Sequence, residues 1–325
     1  MRDKLFSSCL AQHLSGYLAL RRSLGYEMRS HLCVLRQFDR AVARGTQSRG
    51  PVSRDVIEEY LRSLAHLQPI TRRLRLSMIR QFLLYLRRFE PGTFVPDRSM
   101  EPARTAPRKP YIFTEDEICN LIRAAYGYPP RYRCRRWLLY PTLFGLLYVT
   151  GMRVSEALQL KLEDLDLRQG ILRIRKAKFH KARLVPLVES SCAALKRYLM
   201  ARAERGHPTA PDAHLFVNDR GNRLSYTSVR QAFHLVARMA GIEAEARRIP
   251  RIHDLRHTAA VRRLFLWYRE GKNVQALLPV LSTFLGHSAV SGTAIYLTTT
   301  AELLAEANLR FEKHFGDPAS KKGGF

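Results

Sequence analysis

The segment Leu285 to Tyr296, LGHSAVSGTAIY, places an imidazole and a phenol nine residues apart, at His287 and Tyr296. A phenol with a pKa of about 10 becomes a nucleophile when a neighbouring group takes its proton. An unbroken helix turns about 100° per residue, which would put these two side chains on opposite faces. We therefore predict a break at Ser291–Gly292 that lets both side chains point at one site.

The segment HDLRH, His253 to His257, carries a second set of polar side chains at helical spacing. His253 and Arg256 share one face of a helix, where an imidazole and a guanidinium can cradle a phosphate. His253 and His257 also have the four-residue spacing of a zinc-binding helix. The positive charge of Arg256 disfavours a cation, and Asp254 stands where that motif has a glutamate. We expect no metal ion and no cofactor.

Two more basic positions have a possible role at a phosphate. In TGMRVSEAL, Thr150 to Leu158, Arg153 follows a glycine at the predicted start of a helix, where free N–H groups attract anions. Glu156 could hold this arginine, and a surface ion pair is the alternative. A hairpin with the tip KAKFHK, 176–181, could bring a lysine into a DNA groove to protonate a leaving oxygen, or could leave it solvated.

The charge balance points to a polyanionic partner. The chain has 325 residues with 55 Lys and Arg against 28 Asp and Glu, a formal net charge of +27. This excess favours nucleic acid over an anionic membrane surface. The five cysteines are scattered and include no CxxC pair, which is typical of a reducing cytoplasm. The longest apolar run, 137–149, is too short to span a bilayer.

The elements that must position these residues are mostly helical. Residues 5–44 show helical periodicity, and further helices are predicted to begin near Ser53 and Thr71. A proline-rich stretch from Pro91 to Pro110 then breaks the pattern, and we assign 96–111 as an interdomain linker. Residues 1–95 are therefore predicted to form one helical domain with basic surfaces.

The remaining residues, 112–325, are predicted to form a second domain that is mainly α with a small antiparallel sheet. Thr114 and Glu117 have the spacing of a capping box, and helices are expected to continue to about residue 162. Two strands flank the basic tip, with another short strand at Leu215 to Val217. Helical patterns then resume at 227–240, 254–269 and 300–314.

Taken together, the order Arg, Lys, His-x-x-Arg, His, Tyr resembles that of the tyrosine recombinases, the phage integrase family. TGMRVSEALQL resembles the first arginine box of that family, KAKFHKARLVPL its lysine hairpin, and HDLRH with LGHSAVSGTAIY its second box. The N-terminal SLGYEMRSHLCVLRQFDR and TRRLRLSMIRQFLLYL resemble the core-binding (SAM-like) domain of Xer-type enzymes. The resemblance covers nearly the whole chain, and the combined motif is more specific than any of its parts.

The resemblance implies an enzyme that cuts and rejoins DNA strands through a covalent 3′-phosphotyrosyl intermediate. Its catalytic residues would be Arg153, Lys178, His253, Arg256, His287 and the nucleophile Tyr296. Lys178 is chosen by counting back from KARLVP, with Lys176 and Lys181 as alternatives. A phenylalanine and a histidine at the hairpin tip depart from the residues usual in the family.

The resemblance also implies partners. The two domains would form a C-shaped clamp on double-stranded DNA with specific recombination sites. Four protomers, identical or mixed with sister recombinases, would assemble through the amphipathic segment 301–315, although that segment could instead pack on its own domain. The expected location is cytoplasmic, with no membrane partner. A DNA-binding protein without catalysis and a type IB topoisomerase-like enzyme are the alternative functions.

Overall fold

The chain divides into two compact units, Met1–Arg108 and Lys109–Phe325. The computed structural model describes residues 5–26, 28–44, 50–103, 109–128, 138–175, 182–242, 250–287, 289–298 and 305. It is mostly helical with a small antiparallel sheet, as the sequence predicts.

The first unit is a helical bundle, as predicted. Its described helices are α1 (Ala11–Ser23), α2 (Arg29–Arg44), α3 (Arg54–Ser63) and α4 (Pro69–Leu86). Phe38 lies at the centre of its core, where its ring packs edge-on against Tyr60 and Phe82. Ser53 occupies the position before α3 as expected, but α4 begins two residues before Thr71 because Pro69 suits the first turn of a helix.

The chain after α4 stays on the first unit for some distance. Phe94 donates its backbone N–H to the carbonyl of Val52, and Arg80 donates to the carbonyl of Pro96. Phe94, Val95 and Met100 also pack against the core of the bundle. The proline-rich stretch is therefore packed against this unit in its first part, and residues 104–108 lie outside the described residues.

The second unit holds the remaining elements. Its described helices are α5 (Glu115–Tyr126), α6 (Leu139–Thr150), α7 (Val154–Ala157), α8 (Glu189–Ala203), α9 (Tyr226–Met239), α10 (Asp254–Arg269), α11 (Val274–Leu285) and α12 (Ser291–Ala294). The predicted capping box of Thr114 and Glu117 opens α5. Phe113, Phe144 and Phe233 form an aromatic line through the core. None of the described helices is long and apolar enough to cross a membrane.

The sheet of the second unit has the order β1-β2-β3, with β1 at Leu165–Asp166, β2 at Ile171–Ile174 and β3 at Arg183–Pro186. Strands β2 and β3 form the predicted antiparallel hairpin, with Leu172 opposite Val185 on the buried face. The hairpin tip, 176–181, lies outside the described residues.

The strand predicted at Leu215 to Val217 is wrong. Within the described part of the chain, this run takes part in only one isolated bridge, between Val217 and Arg223. The backbone of this run is hydrogen-bonded without a strand partner. The N–H of Leu215 donates to the carbonyl of Leu160, and the carbonyl of Leu215 accepts from the Tyr198 hydroxyl. Burial of this apolar run therefore does not require a sheet.

Candidate active site

Within the region where helices are predicted to continue to about residue 162, the helix α6 ends at Thr150. Gly151 follows in the left-handed conformation at φ 59°, and Arg153 then occupies the N-cap of the short helix α7. Glu156 accepts hydrogen bonds from the backbone N–H of Arg153 and from its Nη1, each at 2.9 Å. The Glu156 side chain is only 3% exposed, so a buried carboxylate orients Arg153.

Sequence reasoning gave no role to Arg183, the first residue of β3. Its Nη2 and Nη1 donate to the Glu156 carboxylate at 2.8 and 3.2 Å, and its Nε donates to the carbonyl of Phe284 at 2.9 Å. The buried carboxylate is thus shared by Arg153 and Arg183. The buried ion pair of Arg183 and Glu156 thereby ties β3 to α7, next to Arg153. An arginine at the second position of the predicted strand, which begins at Ala182, gives no sequence signal of this contact.

Arg256 lies in the first turn of α10 and is only 2% exposed. Its Nη1 donates to the carbonyls of Gly151 and Leu285, at 2.7 and 2.8 Å. Its Nη2 is buried and has no hydrogen-bond partner of standard geometry among the described residues. A buried guanidinium donor without a well-aligned partner favours an anionic ligand, and a hydrogen bond from Arg256 acts to lower the pKa of the nearby Tyr296.

Three arginines therefore hold three consecutive carbonyls at the C-terminal end of α11. Arg183 binds Phe284, Arg256 binds Leu285, and Arg153 binds Gly286 at 3.0 Å. A helix C-terminus has unpaired carbonyls and negative potential, which cations stabilise. The backbone immediately before His287 is thus fixed by charge-assisted hydrogen bonds.

The predicted break at Ser291–Gly292 is wrong, because Ser291 and Gly292 lie inside the helix α12. The helix α11 ends instead at Gly286, whose φ of 73° is left-handed. The helix α12 follows from Ser291, and a 3₁₀ turn at Ile295–Thr298 carries Tyr296. The change of direction therefore lies before His287, where a glycine conformation is required.

This path brings His287 and Tyr296 together as the sequence analysis anticipated. Their rings stack with centroids 6.1 Å apart, and His287 Nδ1 lies 2.7 Å from the Thr293 hydroxyl. Tyr296 is only 4% exposed. Its hydroxyl lies 3.0 Å from Nδ1 of His257, a residue that the sequence suggested only as a metal ligand.

His253 stands at the N-cap of α10 and is exposed. Its ring packs perpendicular to that of His257, with centroids 4.9 Å apart. Across the described residues, no group of three or more His, Cys, Asp or Glu side chains is arranged to hold a metal ion. Lys176, Lys178 and Lys181 lie outside the described residues.

The electrostatics of the site follow from partial desolvation beside two arginines. Desolvation, and then the positive charge of Arg256 and Arg153, lower the pKa of His287 to about 4. Desolvation and the neighbouring His257 also lower the pKa of His253. Burial raises the pKa of Tyr296, and the charge of Arg256 partly offsets that effect. At pH 7 the histidines are neutral and the phenol keeps its proton.

Burial lowers the pKa of Arg256 to about 10, and the charge of Arg153 acts in the same direction. The guanidinium therefore remains charged at pH 7. Three cations, Arg153, Arg183 and Arg256, lie close together in a partly desolvated site with one carboxylate, Glu156. This arrangement favours a bound anion.

Residues 112–302 match the profile of the phage integrase family. The chain is 35% identical to y4rB of Sinorhizobium fredii, described as an integrase/recombinase, over 95% of this chain and 99% of the relative. It is 30% identical to the tyrosine recombinase XerC of Thermodesulfovibrio yellowstonii, over 71% and 72% of the two chains.

The fold is similar to those of recombinases solved on DNA. A post-cleavage complex of the XerH site-specific recombinase with difH DNA gives a TM-score of 0.65 at 20% identity, covering 89% of this chain and 80% of that one. A lambda integrase tetramer on a Holliday junction gives 0.61 at 18% identity, covering 87% and 78%.

Proposed function

Because the chain belongs to the phage integrase family of tyrosine recombinases, which are site-specific DNA recombinases, we propose that Tyr296 is its nucleophile. Arg153, Arg256 and His287 would bind the scissile phosphate. The observation that supports this assignment most directly is that the candidate side chains meet at one place in the fold. Side chains spread from position 153 to position 296 meet around the end of α11, through the contacts to Leu285 and Gly286.

In the proposed reaction, the Tyr296 oxygen attacks the phosphorus of a DNA strand and forms a 3′-phosphotyrosyl bond. The bond from phosphorus to the 5′-oxygen breaks, and that oxygen leaves as a 5′-hydroxyl. A 5′-hydroxyl from another strand then attacks the phosphotyrosine and restores the DNA backbone. The bond energy is conserved in the covalent intermediate, so the step is reversible and needs no cofactor.

The pentacoordinate phosphorane carries more negative charge than the ground state, and preorganised donors lower its free energy. The Nη2 of Arg256 is such a donor, since Nη1 of the same guanidinium is already fixed to two carbonyls. Arg153 is held from two sides, by Glu156 and by Gly286. His287 would add a hydrogen bond to a non-bridging oxygen.

Two roles follow from the resemblance and the location of the side chains. Lys178 would protonate the departing 5′-oxygen, a role taken from the resemblance, and the strand β3 that follows it is tied to Glu156 through Arg183. His253, exposed at the start of α10, would contact the phosphate or help to orient the phenol.

Double-stranded DNA with specific sites is the proposed substrate, which agrees with the net charge of +27. The two units would clamp the duplex, and protomers would assemble as a homotetramer or with sister recombinases. A groove lined by Val149, Leu266 and Leu281, with Arg262 and Arg263 at its side, would receive the segment 301–315 of a neighbouring copy. The free cysteines found among the described residues agree with a location in the cytoplasm.

Formation of a covalent DNA adduct tests this function. A binding duplex is first selected from a random-sequence pool with the wild-type protein, because binding requires no catalysis. A nicked version of that duplex then traps the adduct, since the short 5′-strand diffuses away. Wild type should give a protease-sensitive protein–DNA band, and Tyr296→Phe should give none. Tyr226→Phe, a change at an exposed tyrosine on α9, is the matched control and should behave as wild type.

An adduct that persists in Tyr296→Phe would refute the nucleophile assignment. Activity in EDTA is expected, because the proposed steps use no metal ion. A second assay separates recombination from relaxation by a topoisomerase. Two labelled duplexes with the selected site should exchange strands, whereas a topoisomerase-like enzyme would relax supercoils without exchange.

A further inference from the structure

We propose that His257 accepts the phenolic proton of Tyr296 during strand cleavage, which adds one catalytic residue to the set described above. The inference rests on the proposed function, because it requires Tyr296 to be the nucleophile. Nδ1 of His257 is 3.0 Å from the Tyr296 hydroxyl, within direct proton-transfer distance.

The geometry favours His257 over His253 for this role. His257 lies in the first turn of α10 and faces Tyr296 with ring centroids 5.5 Å apart and planes at 62°. His253 packs on the ring of His257 at 4.9 Å and is exposed to solvent. Within the described residues, the phenol oxygen therefore has its histidine contact to His257, and the ring contact of His253 is with His257.

The first turn of α10, which carries His257, is held in place by hydrogen bonds. The Asp254 carboxylate accepts hydrogen bonds from the backbone N–H and the Nη2 of Arg251, at 2.8 and 3.2 Å. Thr258 donates its hydroxyl to the Asp254 carbonyl and accepts from the N–H of Phe113. With Arg256 fixed as well, the first turn of α10 presents Nδ1 to the phenol in one orientation.

The charges around His257 keep it ready to take a proton. The titratable and charged groups that face it are Arg251, His253, Asp254, Arg256, His287 and Tyr296. Burial lowers the pKa of His257, and the Asp254 carboxylate opposes this effect. The ring is therefore neutral at pH 7, with a free lone pair on Nδ1 when the ring proton is on Nε2.

The proton balance of the step is complete. The phenol proton moves from Oη of Tyr296 to Nδ1 of His257 while the bond from Oη to phosphorus forms. The bond from phosphorus to the 5′-oxygen breaks, and Lys178 supplies a proton to that oxygen. In the rejoining step both transfers reverse, because the attacking 5′-hydroxyl returns its proton and the departing phenolate regains its own.

The pH dependence of cleavage separates a base from a structural contact. The substrate is the selected nicked duplex with sulfur in place of the bridging 5′-oxygen, because a thiolate leaves without a proton and the Lys178 step drops out. His257→Gln keeps a hydrogen-bond acceptor but cannot take a proton. His253→Gln tests the rival base, and His234→Gln, on α9 of the same unit, is the matched control.

At pH 7, His257→Gln should form the adduct about 100-fold or more slowly than wild type. The deficit should shrink about tenfold per pH unit towards pH 10, because the fraction of unassisted phenolate rises by that factor. The deficit of His253→Gln should not change with pH, and His234→Gln should match wild type. A pH-independent deficit in His257→Gln, no deficit, or a pH-dependent deficit in His253→Gln instead would overturn the proposal.

A second measurement needs neither DNA nor an active variant. In protein labelled with ¹⁵N-histidine, His257 should carry its proton on Nε2, and Tyr296→Phe should shift the Nδ1 resonance towards that of a free imidazole nitrogen. A proton on Nδ1 of His257 in wild type would overturn the proposal. An adduct that survives Tyr296→Phe would refute the nucleophile and this inference together, whereas a wild-type pH profile in His257→Gln refutes only this inference.

Discussion

Replacing Arg183 by methionine should destabilise the second unit strongly, because it removes one partner of a buried ion pair. The Arg183 side chain is 7% exposed and makes two hydrogen bonds to Glu156 and one to the Phe284 carbonyl. Breaking a buried pair in this way costs about 3–5 kcal/mol. Arg153 remains beside the carboxylate, so we expect a loss of about 3 kcal/mol in the free energy of unfolding.

Tryptophan fluorescence measures this loss without interference from the first unit. The chain has two tryptophans, Trp137 and Trp267, and both belong to the second unit. Urea unfolding curves of wild type and Arg183→Met should share one slope and differ in midpoint. Arg173→Met, on the adjacent strand and exposed, is the matched control and should change stability by less than about 0.5 kcal/mol.

The same variant should change the pH at which the second unit unfolds in acid. Burial acts to raise the pKa of Glu156, but hydrogen bonds and charge from Arg183 and Arg153 outweigh it and hold the pKa below its usual value. A lowered folded-state pKa gives stability that is present above the unfolded-state value and is lost as pH falls through the folded value. Without Arg183 the folded-state pKa of Glu156 moves towards the unfolded-state value, so the stability lost through this carboxyl in acid should be smaller and complete at a higher pH.

A loss of less than about 1 kcal/mol in Arg183→Met, or an unchanged pH of acid unfolding, would refute this reasoning. Such a result would mean that Arg153 alone is enough to balance the negative charge of Glu156. Arg183→Lys should fall between wild type and the methionine variant, because one ammonium cannot reproduce the planar fork that reaches both Glu156 and Phe284.

Three further predictions concern the same unit. Gly286→Ala should reduce adduct formation and lower the free energy of unfolding by at least about 1 kcal/mol, because φ is 73° and a Cβ would overlap the Arg183 guanidinium. The control Gly292→Ala should match wild type in both assays. Thr114→Ala should cost about 1 kcal/mol of unfolding free energy in urea, because it removes the cap of α5. His287→Asn should flatten the fall in stability between pH 6.5 and 4, since a histidine with a lowered folded-state pKa destabilises the folded state over that range; an unchanged slope would contradict the assignment.

The sequence predicts the elements whose signals are local. The hairpin of β2 and β3, the capping box at Thr114 and the helix α10 each follow from residues within a few positions of one another. The helix α8 was not anticipated, because only a few of its residues are buried. The helix α11 is apolar and contains Pro279, so its pattern resembles neither an amphipathic helix nor a strand.

The candidate site residues are predicted as a set from a family pattern, but their contacts depend on tertiary structure. No local rule places Arg183 between Glu156 and Phe284, since those partners lie 27 and 101 residues away. The break before His287 was misplaced by several residues because two glycines offered a turn and only Gly286 takes the left-handed conformation. His257 was considered as a metal ligand, and only the folded chain shows it beside the phenol.

The arginine contacts to the end of α11 also determine when during synthesis the site can exist. Arg153 reaches Gly286 across 133 residues, and Arg256 reaches Gly151 across 105. Domains tend to fold as units while the chain emerges, N-terminal parts first. A nascent or truncated chain that lacks residues 284–296 has neither the carbonyls that orient the arginines nor the phenol. With Tyr296 as the proposed nucleophile, the ability to cut DNA would arise only after residues 284–296 have been made, and chains that lack them would not break a strand.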